Sequence, residues 1–202
     1  MVSDAEFLWV AKHPALDFVN TELIRDGART DLLRDFEDLA AWLEEAGFLP
    51  GASRAVANAR FGARERGRIH AEALQLRAAI RLLVEQRIRK RRTSQAALDT
   101  INRYLRLDSG YTRLSSTGAG VERRFECELR DAAQLLQPIA SGAADLLCDA
   151  DPALIKPCAN HACILYFYDT SKNHARRWCS MDVCGNRTKV AAHYARQRKH
   201  ER

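Results

Sequence analysis

Four cysteines toward the C-terminal end fall into two close pairs, Cys158 with Cys163 and Cys179 with Cys184, a C-x4-C-x15-C-x4-C pattern. Each short loop can aim two sulfurs at one centre, provided the chain between the pairs doubles back. Four sulfurs select zinc or an iron–sulfur centre. Ferredoxin-type clusters tend to use other spacings and Rieske centres need two histidines, so the pattern points to one zinc ion. Four thiolates close the tetrahedron and leave no position for water or substrate. The metal is therefore expected to be structural, adding folding free energy to a segment too short to build its own core. His161 and His174 lie close enough in sequence to stand in for one cysteine. Cys127 and Cys148, outside the pattern, read as small buried hydrophobes.

A second chemistry is electrostatic. From Cys158 to Arg202 the chain carries nine Lys/Arg and three Asp/Glu, which is the whole formal charge of +6; the residues before it balance at 23 of each sign. Four thiolates on a zinc dication bring the folded segment nearer +4, still a short basic piece on a neutral body. Such asymmetry favours a polyanionic partner. Candidate nucleic-acid contacts are Arg176 and Arg177 beside the third cysteine, Arg187 after the fourth, and Lys189, His193, Arg196, Arg198 and Lys199 beyond it. Arg176 and Arg177 can alternatively donate to zinc thiolates or carboxylates. Lys189, His193, Arg196 and His200 follow one helical face, which can lie on phosphates or enter a major groove. The basic surface does not separate DNA from RNA.

Two further groups carry less. His13, Asp17 and Asn20 are polar residues on one early segment and can line a pocket, although no nucleophile–base pair, phosphate loop or second metal motif accompanies them. Asp17 and Asn20 equally suit capping a helix or tying down a turn. Arg87, Arg89, Lys90, Arg91 and Arg92 form a basic run that reads either as a second nucleic-acid patch or as a solvated helix end whose cations complement the helix dipole; the second reading is favoured.

The elements that would position these groups are mostly helical. Phe7 to Val10 suggests a short strand broken by Pro14. Asp17 to Leu23 leaves strand and helix open, and Asp26-Gly27 marks a turn. Asp35 caps a helix with Phe36, Leu39, Ala40 and Leu43 on one face, stopped by Gly47 and Pro50. Ser53 to Arg60 suggests another short helix, and Arg64 to Arg68, with Gly67, a loop. Ile69, Ala73, Leu76, Ile80, Leu83 and Arg87 mark one side of a helix of about 20 residues. Ser94 caps the next, with Ala97, Leu98, Ile101 and Leu105 inward. Tyr111 to Phe125 suggests a β-hairpin around a Gly/Ser turn. Glu128 to Cys148 is helical and kinked or split at Pro138. In the cysteine segment, Ile164 to Tyr168 and His174 to Trp178 suggest a hairpin, with a helix over Arg187 to Lys199. The expected class is α+β: a mainly helical domain over 1–151 with a small antiparallel element, then a treble-clef-like zinc module over 152–202.

Composition is ordinary for a folded protein, with 47% hydrophobic and 29% charged residues. No run approaches a membrane span. The start lacks the basic region and cleavage site of a signal peptide, so a cytoplasmic location is expected.

The run Cys179-Ser180-Met181-Asp182-Val183-Cys184-Gly185-Asn186-Arg187, preceded by Arg176-Arg177-Trp178, resembles the CGNR zinc-finger family, named for the tetrad at Cys184 to Arg187. Cys158 and Cys163 match its first knuckle. LDFVNT at Leu16 to Thr21 and Ala41-Trp42-Leu43 are similar to the domain that precedes the finger in those bacterial proteins. The resemblance implies a stress-induced transcription regulator that binds DNA through the finger, and no catalytic set comes with it. The N-terminal domain would then dimerise or sense a small-molecule effector. The alternatives are a small-molecule binder or enzyme with its site in that domain, or an interaction module whose zinc stabilises a protein-binding or redox-sensitive tail.

Overall fold

The structure is a computed structural model, and it describes residues 6–49, 59–107, 110–118, 120–127 and 129–186. Its class is α+β: helices with, among the described residues, three small two-stranded antiparallel sheets.

Pro14 does not break a strand; it starts a helix. Helix α1, Pro14–Val19, takes Pro14 at its first position, and His13 Nδ1 caps it by accepting the Ala15 N–H at 3.3 Å. The segment left open between strand and helix is divided between the two. It is helical to Val19, then extended in β1, Glu22–Arg25, which pairs with β2, Ala28–Asp31. Asp26 (φ 51°) and Gly27 (φ 81°) both take the left-handed conformation that a tight two-residue hairpin turn requires.

Phe7 to Val10 forms no strand. Side chains hold this stretch instead: Trp9 Nε1 donates to Glu45 at 3.2 Å, and the Ala11 N–H donates to Asp17 Oδ1 at 2.9 Å. Phe7 is buried, and Trp9 stacks on Trp42 with centroids 5.6 Å apart. Trp42 also meets Phe18 and Phe48, so an aromatic cluster closes this end of the core.

Helix α2, Phe36–Glu45, starts where Asp35 accepts the Asp38 N–H at 2.9 Å, and ends at Gly47 (φ 73°). The expected helix over Ser53 to Arg60 lies largely outside the described residues. Helix α3, Ala63–Ile88, is longer than periodicity suggests, and the stretch Arg64 to Arg68 is helical rather than loop. The reason is tertiary. Arg66 pairs with Glu37 at 2.7 Å, and Arg68 reaches Glu72 at 3.0 Å and Asp131 at 3.4 Å. Those pairs, with the helix already propagating from Ile69, outweigh the propensity cost of one glycine, about 1 kcal/mol.

Helix α4, Gln95–Leu105, begins at the expected Ser94 cap and folds back along α3, where Tyr104 Oη donates to Glu72 at 3.2 Å. Its buried face is Ala97, Ile101 and Tyr104; Leu105 is exposed, because Tyr104 and not Leu105 completes the inward stripe. Strands β3, Gly110–Thr117, and β4, Gly120–Cys127, form the expected hairpin, with Tyr111 opposite Glu126 and Ser116 opposite Val121. A 3-10 turn at Ala132–Leu136, capped by Asp131, leads into α5, Gln137–Cys148, with Pro138 in its first turn, so the proline splits the helical region as expected. Cys148 is exposed rather than buried, since the inward stripe of α5 is Ile139, Ala140, Ala143 and Leu146. The Cys127 side chain lies outside what is described.

Helices α1, α2, α4 and α5 all pack on α3. The core does not stop at α5. Ile155, Leu165, Tyr166 and Phe167 belong to the same continuous cluster of buried side chains as Leu16, Phe18 and Ile80. Among the described residues no helix is long and apolar enough to cross a membrane.

Candidate metal centre

Strand β5, Ile155–Pro157, runs into the first cysteine pair, and β6, Tyr166–Tyr168, runs out of it. The two strands pair antiparallel, Ile155 opposite Tyr168 and Pro157 opposite Tyr166, and the Cys158 N–H donates to Leu165 O at 2.9 Å. Cys158 and Cys163 therefore sit on the tip of a hairpin. This corrects the expected pairing of Ile164 to Tyr168 with His174 to Trp178. The latter segment forms no strand: His174 adopts φ 48°, its carbonyl accepts Lys156 Nζ at 2.6 Å, and the Arg176 N–H donates to Asp169. Of its backbone groups, the His174 N–H turns back to Ser171 O and only Arg177 O meets the first cysteine loop, accepting the Ala159 N–H at 2.8 Å, so no ladder with β6 forms.

The segment nevertheless brings the second pair back. Cys179 precedes a wide helical turn, Met181–Gly185, which carries Cys184 and starts where Ser180 Oγ accepts the Val183 N–H at 3.4 Å. The four Sγ atoms lie within 4.8 Å of one another. Zn–S bonds of about 2.3 Å give a tetrahedral S···S edge of about 3.8 Å, and Cys163 Sγ and Cys179 Sγ stand 3.8 Å apart. Cys158, Cys179 and Cys184 are buried and Cys163 is half-buried. Backbone N–H groups point at the sulfurs: Cys179 and Asn160 at Cys158, Leu165 at Cys163. Such donors stabilise thiolates, which is the form a metal binds. Among the thiols themselves, Cys163 and then Cys179 donate to Cys158, which holds Cys158 far below the ordinary thiol range. The same contact pushes Cys163 up. The donor set fits one zinc ion. His161 and His174 are not part of the four-sulfur group.

The family model ABATE, described as "Putative stress-induced transcription regulator", matches residues 12–150. The chain belongs to the ABATE family. A second model, the CGNR zinc finger, matches residues 155–197 and takes in all four cysteines. No curated protein matches the chain.

The supports of the ABATE-type body and of its finger interlock. Asn20, 1% exposed, donates from Nδ2 to Tyr166 O at 2.8 Å and accepts the Tyr166 N–H at Oδ1 at 2.9 Å, so it pairs with β6 as a further strand residue would. Arg81 of α3 reaches Val19 O at 2.8 Å and Ile164 O at 3.2 Å. Tyr166 Oη donates to Glu85 at 2.9 Å. The Tyr168 N–H donates to Ala11 O at 2.8 Å.

Arg176 is half-buried and turned inward. Its guanidinium donates to Val10 O at 2.6 Å, to Trp178 O at 3.0 Å and to Cys179 O, and lies over the Phe167 ring at 4.3 Å. It is a clamp on the carbonyl of a metal-ligating residue. Beside it, Asp169 is fully buried and accepts from Lys156 Nζ at 2.7 Å, from Ser171 and from the Arg176 N–H at 3.0 Å. Burial alone would raise this carboxyl; the Lys156 ammonium and the other donors outweigh it and hold it well below the usual carboxylate range. Gly185 is buried under the Met181 side chain, which would have to move aside for a β-carbon there, and lies next to the Trp178 ring.

Of the nucleic-acid candidates that the sequence offers, Arg177 is exposed, with its guanidinium 5.2 Å from the Trp178 ring centre. Arg187, Lys189, His193, Arg196, Arg198 and Lys199, and the helix expected to carry them, lie outside the described residues. His13, Asp17 and Asn20 all lie in or beside α1, and each holds backbone. His13 caps α1, and burial lowers its pKa against the opposing charge of Asp145. Asp17 accepts N–H groups of the Phe7–Ala11 stretch, and its burial pushes the carboxyl up to about 6. Phe167 is fully buried and belongs to the core.

Sequence reasoning missed Arg81, Lys156 and Asp169. Asp169 had a signal, since it is one of three acids in a basic segment; the partners of Arg81 lie more than 50 positions away and left none.

Proposed function

We propose that this chain is a DNA-binding transcription regulator whose finger, residues 152–202, holds duplex DNA, and whose larger part, residues 1–151, responds to an effector or dimerises. One observation carries the reading: a closed four-sulfur cluster is followed by the segment that holds most of the chain's charge excess. The cluster has no open coordination position, so its contribution is shape. The shape it fixes is the exit of the chain after Cys184, from which Lys189, His193, Arg196, Arg198 and Lys199 follow. These cations suit phosphates, and a basic segment of this kind binds with an affinity that falls steeply with salt. A single finger reads few bases, so an operator would be recognised by a dimer. The setting is cytoplasmic. The family description supports a regulator rather than an enzyme. An enzymatic site around His13, Asp17 and Asn20 has less support, because those side chains hold backbone groups.

The test is equilibrium binding of the zinc-loaded chain to duplex DNA over a range of salt. The double variant Lys189→Glu, Arg196→Glu should lose affinity by at least about tenfold and flatten the salt dependence by about two units of slope. Unchanged binding in that variant would remove the finger from the interface. Tighter binding to single-stranded RNA than to duplex DNA would move the proposal to RNA.

A further inference from the structure

The turn between α3 and α4 holds Arg89, Lys90, Arg91 and Arg92, all four exposed. A basic run at a helix end is ordinarily a loose, solvated tail. This one is locked. The Lys90 N–H donates to Arg87 O at 3.2 Å and the Arg91 N–H to Gln86 O at 2.8 Å, with Lys90 at φ 51°, which is the hydrogen-bonded reversal that terminates helices through a left-handed residue. Lysine takes that conformation at a cost that glycine would not incur. On the far side, Gln86 Oε1 accepts the Ser94 N–H at 2.9 Å, and Ser94 caps α4. Both ends of the turn are thereby fixed.

The four cations are also unspent. None makes an ion pair with a carboxylate among the described residues. The nearby acid Glu85 is already engaged by the Tyr166 hydroxyl. The end of α3 that leads into the turn lies beside the finger's hairpin: Glu85 accepts the Tyr166 hydroxyl of β6 at 2.9 Å, and Arg87 donates to Ala150 O, ahead of β5, at 3.1 Å. Four cations on a turn whose backbone is held, none of them ion-paired with a carboxylate among the described residues, suit a ladder of phosphates.

We infer that the α3–α4 turn is a second phosphate-binding element, which grips the backbone of the duplex that the finger engages. The inference rests on the DNA-binding reading above and adds to it a contact contributed by the helical body. Contacts of this kind position a protein on DNA without reading sequence.

The experiment uses the full zinc-loaded chain and a random-sequence DNA duplex, with affinity measured by fluorescence anisotropy across a series of potassium chloride concentrations. The turn variant is Arg89→Gln, Lys90→Gly, Arg91→Gln, Arg92→Gln; glycine at position 90 preserves the left-handed residue. The control is Arg60→Gln, Arg64→Gln, two exposed cations, the first just before α3 and the second in its first turn, about 36 Å from Ile88 at 1.5 Å per residue. The turn variant should weaken binding by tenfold or more at moderate salt and reduce the slope of log K against log salt by about two to three, at about 0.9 for each phosphate no longer neutralised. The control should leave the slope unchanged. A turn variant with the wild-type slope, or a control that flattens it equally, overturns the inference while leaving the finger's role standing. Failure of the wild-type chain to bind duplex DNA at all overturns both.

Discussion

The side-chain amide of Asn20 occupies both backbone hydrogen-bonding groups of Tyr166, donating at 2.8 Å and accepting at 2.9 Å across 146 positions of chain. Both ends of this contact are buried. Asn20→Ala would leave a buried N–H and a buried carbonyl without partners, at about 1–3 kcal/mol for each. The expected loss is about 2–6 kcal/mol of unfolding free energy, read by chemical denaturation. Asn20→Asp presents an oxygen to the Tyr166 carbonyl and should cost at least as much. A loss below about 0.5 kcal/mol in Asn20→Ala would mean the pairing does not bind the two parts.

Arg176 holds three carbonyls from two segments. Arg176→Lys keeps the charge and loses the fork geometry, so stability should fall by about 1–3 kcal/mol. Transfer of zinc to a competing chelator should also speed up, because one of the three carbonyls belongs to Cys179. A variant with unchanged melting temperature and unchanged transfer rate would remove the clamp.

The pH dependence should carry two opposed contributions. Asp17 has its pKa raised by burial to about 6, so the native state favours the neutral acid. Stability from this group is full below the unfolded value near 4 and is lost as pH rises through about 6, by roughly 2 kcal/mol. Asp17→Asn should remove that decline between pH 4 and 6. Asp169 has the opposite sign: its depressed pKa stabilises the fold above the ordinary carboxylate range, and that stability goes as pH falls through the native value. Asp169→Asn should therefore destabilise at pH 7 and have little effect in strong acid. Chemical denaturation across pH reads both.

Elemental analysis should return one zinc per chain, and Cys184→Ser should lose most of it. Structural zinc sites hold their metal with roughly 10 kcal/mol or more. Since Cys158, Cys179 and Cys184 are part of the same buried cluster as α1 and α3, chelation should lower the melting temperature of the whole chain in one transition. A body that melts unchanged after chelation, with only the finger lost, would contradict this.

What could be read from sequence depended on whether the determinant was local. Asp35 and Ser94 each cap a helix through a residue three positions on, and both were legible. The four-cysteine cluster was legible because ligand spacing is itself a geometric constraint. The helical state of Arg64 to Arg68 was not, because Glu37 and Asp131 help hold it from other elements. The partner of β6 was misread because the choice between β5 and the stretch after Asp169 is made by Lys156 and Asp169, whose salt bridge spans 13 positions. Arg176 reads from sequence either as a phosphate contact or as a donor to thiolates or carboxylates; only the folded chain shows that Val10 O and the Phe167 ring meet it.

Phe167, with no exposed surface, is covered in part by residues outside the metal module, and β6 packs on α1. A fragment cut at residue 152 would present this ring and Tyr166 to water. The module is thus not a portable cassette. Fusing it to another protein would transplant its ligands and its cations but leave behind one wall of its interior, and such a chimera would tend to aggregate before it had a chance to recognise anything.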